Sequence, residues 1–118
     1  MPINRTYSLR TLKALWGRSG NRCAFPDCRQ LLVRDLSSPQ RFAVVGEMAH
    51  IVAVSSLGPR GQPSNVGVDE LANLILLCPT HHRLIDSAPT DYPPDELLAW
   101  KRQHELAVLR AGLRQVGS

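Results

Sequence analysis

Two short pairs of residues carry the first chemistry in this sequence. Cys23 and Cys28 bracket the segment Cys-Ala-Phe-Pro-Asp-Cys, and Cys78 and His81 bracket Pro-Thr in Cys-Pro-Thr-His-His. Thiolate sulfur and imidazole nitrogen are the donors a tetrahedral zinc ion takes, and two local pairs joined by the fold make a closed structural site. Unbridged cysteines also serve as small buried apolar groups. The ligand reading rests on both pairs having ligand spacing, and three cysteines, an odd number, argue against a disulfide framework.

His81 has a histidine neighbour, His82, and adjacent residues on a helix point about 100° apart. The two rings are therefore expected to serve different sites. His81 belongs with the three cysteines, whereas His82 shares a helix face with Asp86 four residues on. A histidine and a carboxylate with open positions suit a catalytic divalent ion, Mg2+ or Mn2+.

The elements that must position these groups follow from periodicity. Leu9, Leu12, Leu15 and Trp16 recur at helical spacing, predicting a helix over 8–18 capped by Ser8 or Thr6 and stopped at Ser19, Gly20 and Asn21. The Cys23–Cys28 knuckle leads into a short strand at Leu31 to Val33. The β-branched and apolar run from Phe42 to Ile51 reads as one strand with His50 near its end. Residues 55–69 form a long Gly- and Pro-rich loop with Arg60 at its centre, a length that is usually functional. A second apolar run, Leu71 to Leu77, holds Asn73, and Pro79 opens a helix that extends to about Ser87. Pro93 and Pro94 introduce a last helix over 95–114, with Leu97, Trp100, His104, Ala107 and Val108 on one face and Trp100 and His104 read as packing residues.

The 118 residues suit a single α+β domain with two flanking helices around a zinc-stapled core at 23–87. Only six residues are aromatic, so the core is mostly aliphatic. The formal charge is +4, and twelve of the fourteen basic residues are arginines, whose forked donors match phosphate oxygens. Charge this modest is also compatible with a merely solvated basic surface. No apolar run approaches the ~20 residues of a membrane span and no signal peptide is visible, so a cytoplasmic protein is expected.

Ala49-His50-Ile51, Asn73-Leu74 and Cys78-Pro79-Thr80-His81-His82 together resemble the HNH endonuclease motif, its histidine, asparagine and histidine in order. More closely, the chain resembles the HNH domain of bacterial antiphage effectors in which that domain precedes a SAVED sensor of cyclic oligonucleotides. Leu15-Trp16-Gly17-Arg18-Ser19-Gly20, the Cys23–Cys28 knuckle, Gly46-Glu47-Met48-Ala49-His50-Ile51, Gly58-Pro59-Arg60-Gly61, Leu74 to His82 and His104-Glu105 carry that likeness. The resemblance implies a ββα-metal fold and hydrolysis of DNA, read as double-stranded, to 5′-phosphate and 3′-hydroxyl ends in antiviral defence. It also implies a C-terminal sensor domain that these residues lack, and is compatible with oligomerisation.

Within that resemblance His50 is the general base, Asn73 braces the loop that carries it, and His82 with Asp86 holds the catalytic ion. Many relatives place an aspartate or histidine ligand where this chain has Ala49. Glu47, one pleat repeat earlier on the same side of the strand, either fills that gap or only supports the fold. Arg60 and Arg83, with Arg22 and Arg29, are the candidate phosphate contacts. The competing reading is a noncatalytic zinc-binding module that uses the same scaffold to hold nucleic acid or protein. Ala49 favours that reading. His50, Asn73, His82 and Asp86 together favour the nuclease.

Overall fold

Helix α1 spans Leu9–Ser19 and begins where Ser8 Oγ accepts the Thr11 N–H at 3.0 Å. It ends at Gly20, whose φ of 59° is the left-handed turn that glycine adopts without strain. A Cβ at Gly20 would also stand 2.9 Å from Val108 Cγ1, so the same glycine lets the C-terminal helix approach. The computed structural model describes residues 7–38, 40–52 and 70–117, with side-chain surroundings as far as Gly112. The 55–69 loop with Arg60, and Thr6 as an alternative cap, lie outside the described residues.

Strands β1 (Val33–Asp35) and β2 (Phe42–Val44) pair antiparallel with Val33 opposite Val44. Strands β3 (Glu47–His50) and β4 (Leu74–Leu77) form a second antiparallel pair, Glu47 opposite Leu77 and His50 opposite Leu74. The run from Phe42 to Ile51 is thus two strands with different partners rather than one. The break has a cause at Val45 and Gly46, whose N–H groups both donate to the Leu32 carbonyl at 2.8 and 3.1 Å. A Cβ on Gly46 would lie 2.8 Å from Leu32 Cβ and 3.2 Å from Trp16 Cζ2, so only glycine lets the chain pass this close. The first strand starts at Val33, two residues later than its apolar run suggests, because Leu31 bridges back to Arg22 and Leu32 turns into the core.

All four residues of β4 are buried. Helix α1 and the C-terminal helix α3 (Pro94–Gly117) pack on this strand, and α2 (Pro79–Ser87) packs on β3. Leu15, Leu32, Ile85 and Leu97 complete the aliphatic core. The knuckle reaches β4 as well, through the Ala24 N–H donating to the Leu76 carbonyl at 3.0 Å. That bond brings the first cysteine pair beside the second. On α3, Ala107 is exposed, and Lys101 takes a buried place instead, ion-paired with Glu105 one turn on. His104 Nε2 donates to the Ser19 carbonyl at 2.8 Å, tying α3 to the end of α1. Among the described residues no helix is long and apolar enough to cross a membrane.

Candidate metal centres and catalytic cleft

Cys78 is both the last residue of the β4 connection and the N-cap of α2, where its Sγ accepts the His81 N–H at 3.5 Å. Pro79 at the first helical position has no N–H to leave unpaired. One turn of helix then returns the His81 ring to Cys78, with Nδ1 3.3 Å from Cys78 Sγ and 3.7 Å from Cys23 Sγ. The ligand atoms of Cys23, Cys28, Cys78 and His81 all lie within 4.8 Å of one another. Zn–S and Zn–N bonds of ordinary length imply tetrahedral edges of about 3.5–3.8 Å, so the spacing fits a zinc ion. Phe25 stacks on the His81 ring at 3.8 Å between centroids, 3° from parallel, and fixes its orientation. Trp100 and Tyr92 meet Phe25 edge-on, which gives Trp100 its packing role.

Burial, with the neighbouring Cys28 and Cys78 adding to it, pushes the Cys23 thiol up to about 12 against backbone N–H groups of Cys78 and Phe25 that pull it down. Such a sulfur becomes a thiolate only beside a positive charge, which is what a zinc ion supplies. The left-handed backbone at Asp27 (φ 65°) and Arg29 (φ 56°) curls the knuckle. Arg22 Nη1 donates to the Arg29 carbonyl at 2.9 Å, so this guanidinium braces the turn rather than standing ready for phosphate alone.

On the neighbouring face of α2, His82 points away from the cysteines. Its Nδ1 lies 2.8 Å from Glu47 Oε1 on β3, and its Nε2 lies 3.2 Å from Asp86 Oδ2 one turn along α2. The hydrogen bond that His82 donates to Asp86, and after it the one to Glu47, raises the His82 pKa above its ordinary 6.5 against the lowering effect of partial burial. With both ring nitrogens on carboxylates, the imidazolium is the form that satisfies both bonds. The three side chains line an open cleft of about 310 Å³ with Pro79, Arg83 and Ser87, which sets the exposed Arg83 at its rim.

Ala49 is 1% exposed and, by strand alternation, lies on the Glu47 side of β3. His50 belongs to the alternate side of the strand with Met48. It is half-buried, and its Nε2 lies 3.3 Å from Tyr7 Oη, a neighbour that no sequence pattern pointed to. Asn73 ends a 3-10 turn (Leu71–Asn73) at the foot of β4. Its Oδ1 accepts the Val52 N–H at 2.9 Å, its Nδ2 donates to the Val52 carbonyl at 3.0 Å, and its own carbonyl accepts the Ile51 N–H at 2.9 Å. The side chain thereby acts as one more rung of the β3–β4 ladder and holds the backbone that leaves His50.

A protein-family model described as HNH endonuclease matches residues 23–88, more than half of the chain. That stretch contains both cysteine pairs, His50, Asn73, His82 and Asp86. No curated protein matches the chain.

Proposed function

The chain belongs to the HNH endonuclease family, and we propose that it hydrolyses DNA phosphodiester bonds with a divalent metal ion, leaving 5′-phosphate and 3′-hydroxyl ends. The observation that carries this reading is the meeting of Glu47 and Asp86 on the two nitrogens of His82 in an open cleft. The pair His82 Nε2 and Asp86 beside open space is a nitrogen and oxygen donor pair suited to Mg2+ or Mn2+, and Glu47 from a separate element holds the other nitrogen of the ring. His82 through Nε2 and Asp86 would hold that ion, with Glu47 on the opposite ring nitrogen, Nδ1, orienting the imidazole, so that oxygens of water or substrate would take the place that Ala49 leaves without a donor. When bound, the ion supplies charge to the phosphate and to the departing 3′ oxygen.

The remaining roles belong to side chains. The family resemblance gives His50, at the end of β3 and outside the lining of the His82 cleft, the task of taking a proton from the attacking water. Asn73 keeps His50 in place through its two bonds to Val52. Arg83 at the rim pairs with a phosphate oxygen of the bound strand, and Arg60 supplies a second contact. Cys23, Cys28, Cys78 and His81 would hold zinc as a closed, four-ligand structural site, joining the knuckle to α2.

The likeness to SAVED-linked effectors supports a wider setting: one domain over residues 1–118, cutting double-stranded DNA in the bacterial cytoplasm as antiphage defence. A following SAVED-type domain would sense a cyclic oligonucleotide, with oligomerisation as a route to activation. The activity is tested by incubating the zinc-loaded protein with supercoiled plasmid and Mg2+ or Mn2+, then analysing the ends. Nicked product that ligase reseals directly supports the reading, since ligase requires 5′-phosphate and 3′-hydroxyl. Intact plasmid with either metal, both from this chain and from one carrying its sensor and activator, overturns it in favour of a noncatalytic module.

A further inference from the structure

We propose that Thr80, His81 and Arg83 form a subsite for a second phosphate of the DNA backbone, next to the cleft that holds the scissile one. The proposal rests on the reading of the chain as a DNA nuclease, and it gives His81 a task besides holding zinc.

Helix α2 separates two hollows. The His82 cleft lies on one side of it, and around the same helix Pro79, Thr80, His81, Arg83, Leu84 and Ser87 line a second open hollow of about 480 Å³. At about 100° per residue, His82 and Asp86 share one face of α2, whereas Thr80, Leu84 and Ser87 share the opposite one. Arg83 falls between the two faces, is exposed, and lines both hollows. Its guanidinium is therefore in reach of a backbone that crosses the helix from the cleft to the second hollow.

The two hollows differ in what they offer a ligand. Glu47 and Asp86 give the cleft two carboxylates, which suit a cation. Among the described residues no carboxylate lines the second hollow, and its polar side chains are a guanidinium, an imidazole and two hydroxyls. Ser87 Oγ already donates its one proton to the Arg83 carbonyl at 2.8 Å. The donors left are the Thr80 hydroxyl, the Arg83 guanidinium and one nitrogen of His81.

Geometry decides which nitrogen that is. His81 Nδ1 faces the thiols, 3.3 Å from Cys78 Sγ and 3.7 Å from Cys23 Sγ, and Phe25 covers one face of the ring. Nδ1 is therefore the nitrogen that would hold zinc, and Nε2, on the opposite side of the ring, keeps the proton. A metal-bound imidazole usually gives its outer N–H to an acceptor. Among the described residues no acceptor lies within hydrogen-bond reach of Nε2. A phosphate oxygen supplies one, and three donors without a neighbouring carboxylate are the chemistry that recognises an anionic phosphodiester.

The experiment measures binding of a short fluorescein-labelled DNA duplex to the zinc-loaded protein by anisotropy, without added Mg2+ or Mn2+, so that no strand is cut. Thr80→Val keeps the branched shape of an exposed side chain and removes its hydroxyl, and Thr80→Ser keeps the hydroxyl. The expected Kd is about three- to tenfold higher in Thr80→Val, the range of one hydrogen bond, and close to wild type in Thr80→Ser, with equal melting temperatures. Arg83→Gln should lower the salt dependence of binding by about one phosphate contact. In the wild type, the His81 Nε2–H resonance should shift as duplex is added. Wild-type affinity in Thr80→Val, or an Nε2–H resonance unmoved by saturating duplex, overturns the proposal. Plasmid nicking without these effects removes the subsite alone, whereas these effects without nicking remove the nuclease reading and leave the subsite standing.

Discussion

Replacing Asn73 by alanine removes both of its side-chain hydrogen bonds with Val52, those from Val52 N–H at 2.9 Å and to Val52 C=O at 3.0 Å. Both are partly buried, so water replaces them poorly. At about 1 kcal/mol for each neutral bond, the loss is about 2 kcal/mol. A chain of 118 residues unfolds with an entropy near 0.25 kcal/mol/K, so the melting temperature should fall by about 8 °C. The second effect is catalytic. Val52 lies two residues beyond His50, and without the clamp the β3–β4 ladder ends at the Ile51 N–H bond to the Asn73 carbonyl. A base displaced by about 1 Å loses on the order of a hundredfold in rate. Well below the melting temperature, kcat should therefore fall far more than the folded fraction does. Asn73→Asp sharpens the test, because a carboxylate still accepts the Val52 N–H but repels the Val52 carbonyl. Thermal melts and plasmid nicking on the same samples check both effects. An Asn73→Ala protein that melts and cuts like the wild type would refute the reasoning.

Three further outcomes follow from the same contacts. Cys78→Ser, or removal of the metal by a strong chelator, should unfold the domain with release of one zinc ion, because Cys78 joins β4, α2 and the knuckle; equal melting curves would contradict the zinc assignment. The raised pKa of His82 means that its carboxylate partners stabilise the fold fully below the ordinary 6.5, an effect lost as pH rises through the raised value, whereas the divalent ion must displace that proton. Mn2+ should accordingly bind about tenfold more tightly for each pH unit gained below the His82 pKa, with the transition moved to lower pH in Asp86→Asn, and a pH-independent affinity in a Mn2+ titration would count against the site. Gly46→Ala should destabilise the fold by about 1–3 kcal/mol in denaturant melts, since its methyl meets Leu32 Cβ at 2.8 Å; a wild-type midpoint would show that the chain can yield there.

The gathering of Cys23, Cys28, Cys78 and His81 and the separation of His81 from His82 were legible because their information is local. Ligand spacing and the 100° step of a helix act over a few residues. Glu47 was also within reach, since strand alternation put it on the Ala49 side before its bond to His82 was known. The single strand expected over 42–51 was not legible as two, because its apolar pattern runs on without interruption. The break at Gly46 depends on Leu32 and Trp16 arriving from elsewhere in the chain. The same distance effect hid Tyr7, which lies 43 residues from His50 and belongs to no motif. The commitment of Arg22 to the Arg29 carbonyl, only seven residues away, and the buried place of Lys101 on α3 were hidden for another reason. Composition marks such residues as charged and solvated, whereas only the fold assigns them partners.

The central claim is that His50 performs the proton transfer while the zinc cluster and the His82 cleft do separate work. It is tested most directly by measuring plasmid nicking by His50→Ala in a preparation shown to retain one zinc ion, the wild-type melting temperature and wild-type Mn2+ affinity. The predicted result is a loss of cutting of about a hundredfold or more, the range of a general base, with both metals still bound. Cutting at the wild-type rate by that same folded, metal-loaded protein would contradict the account.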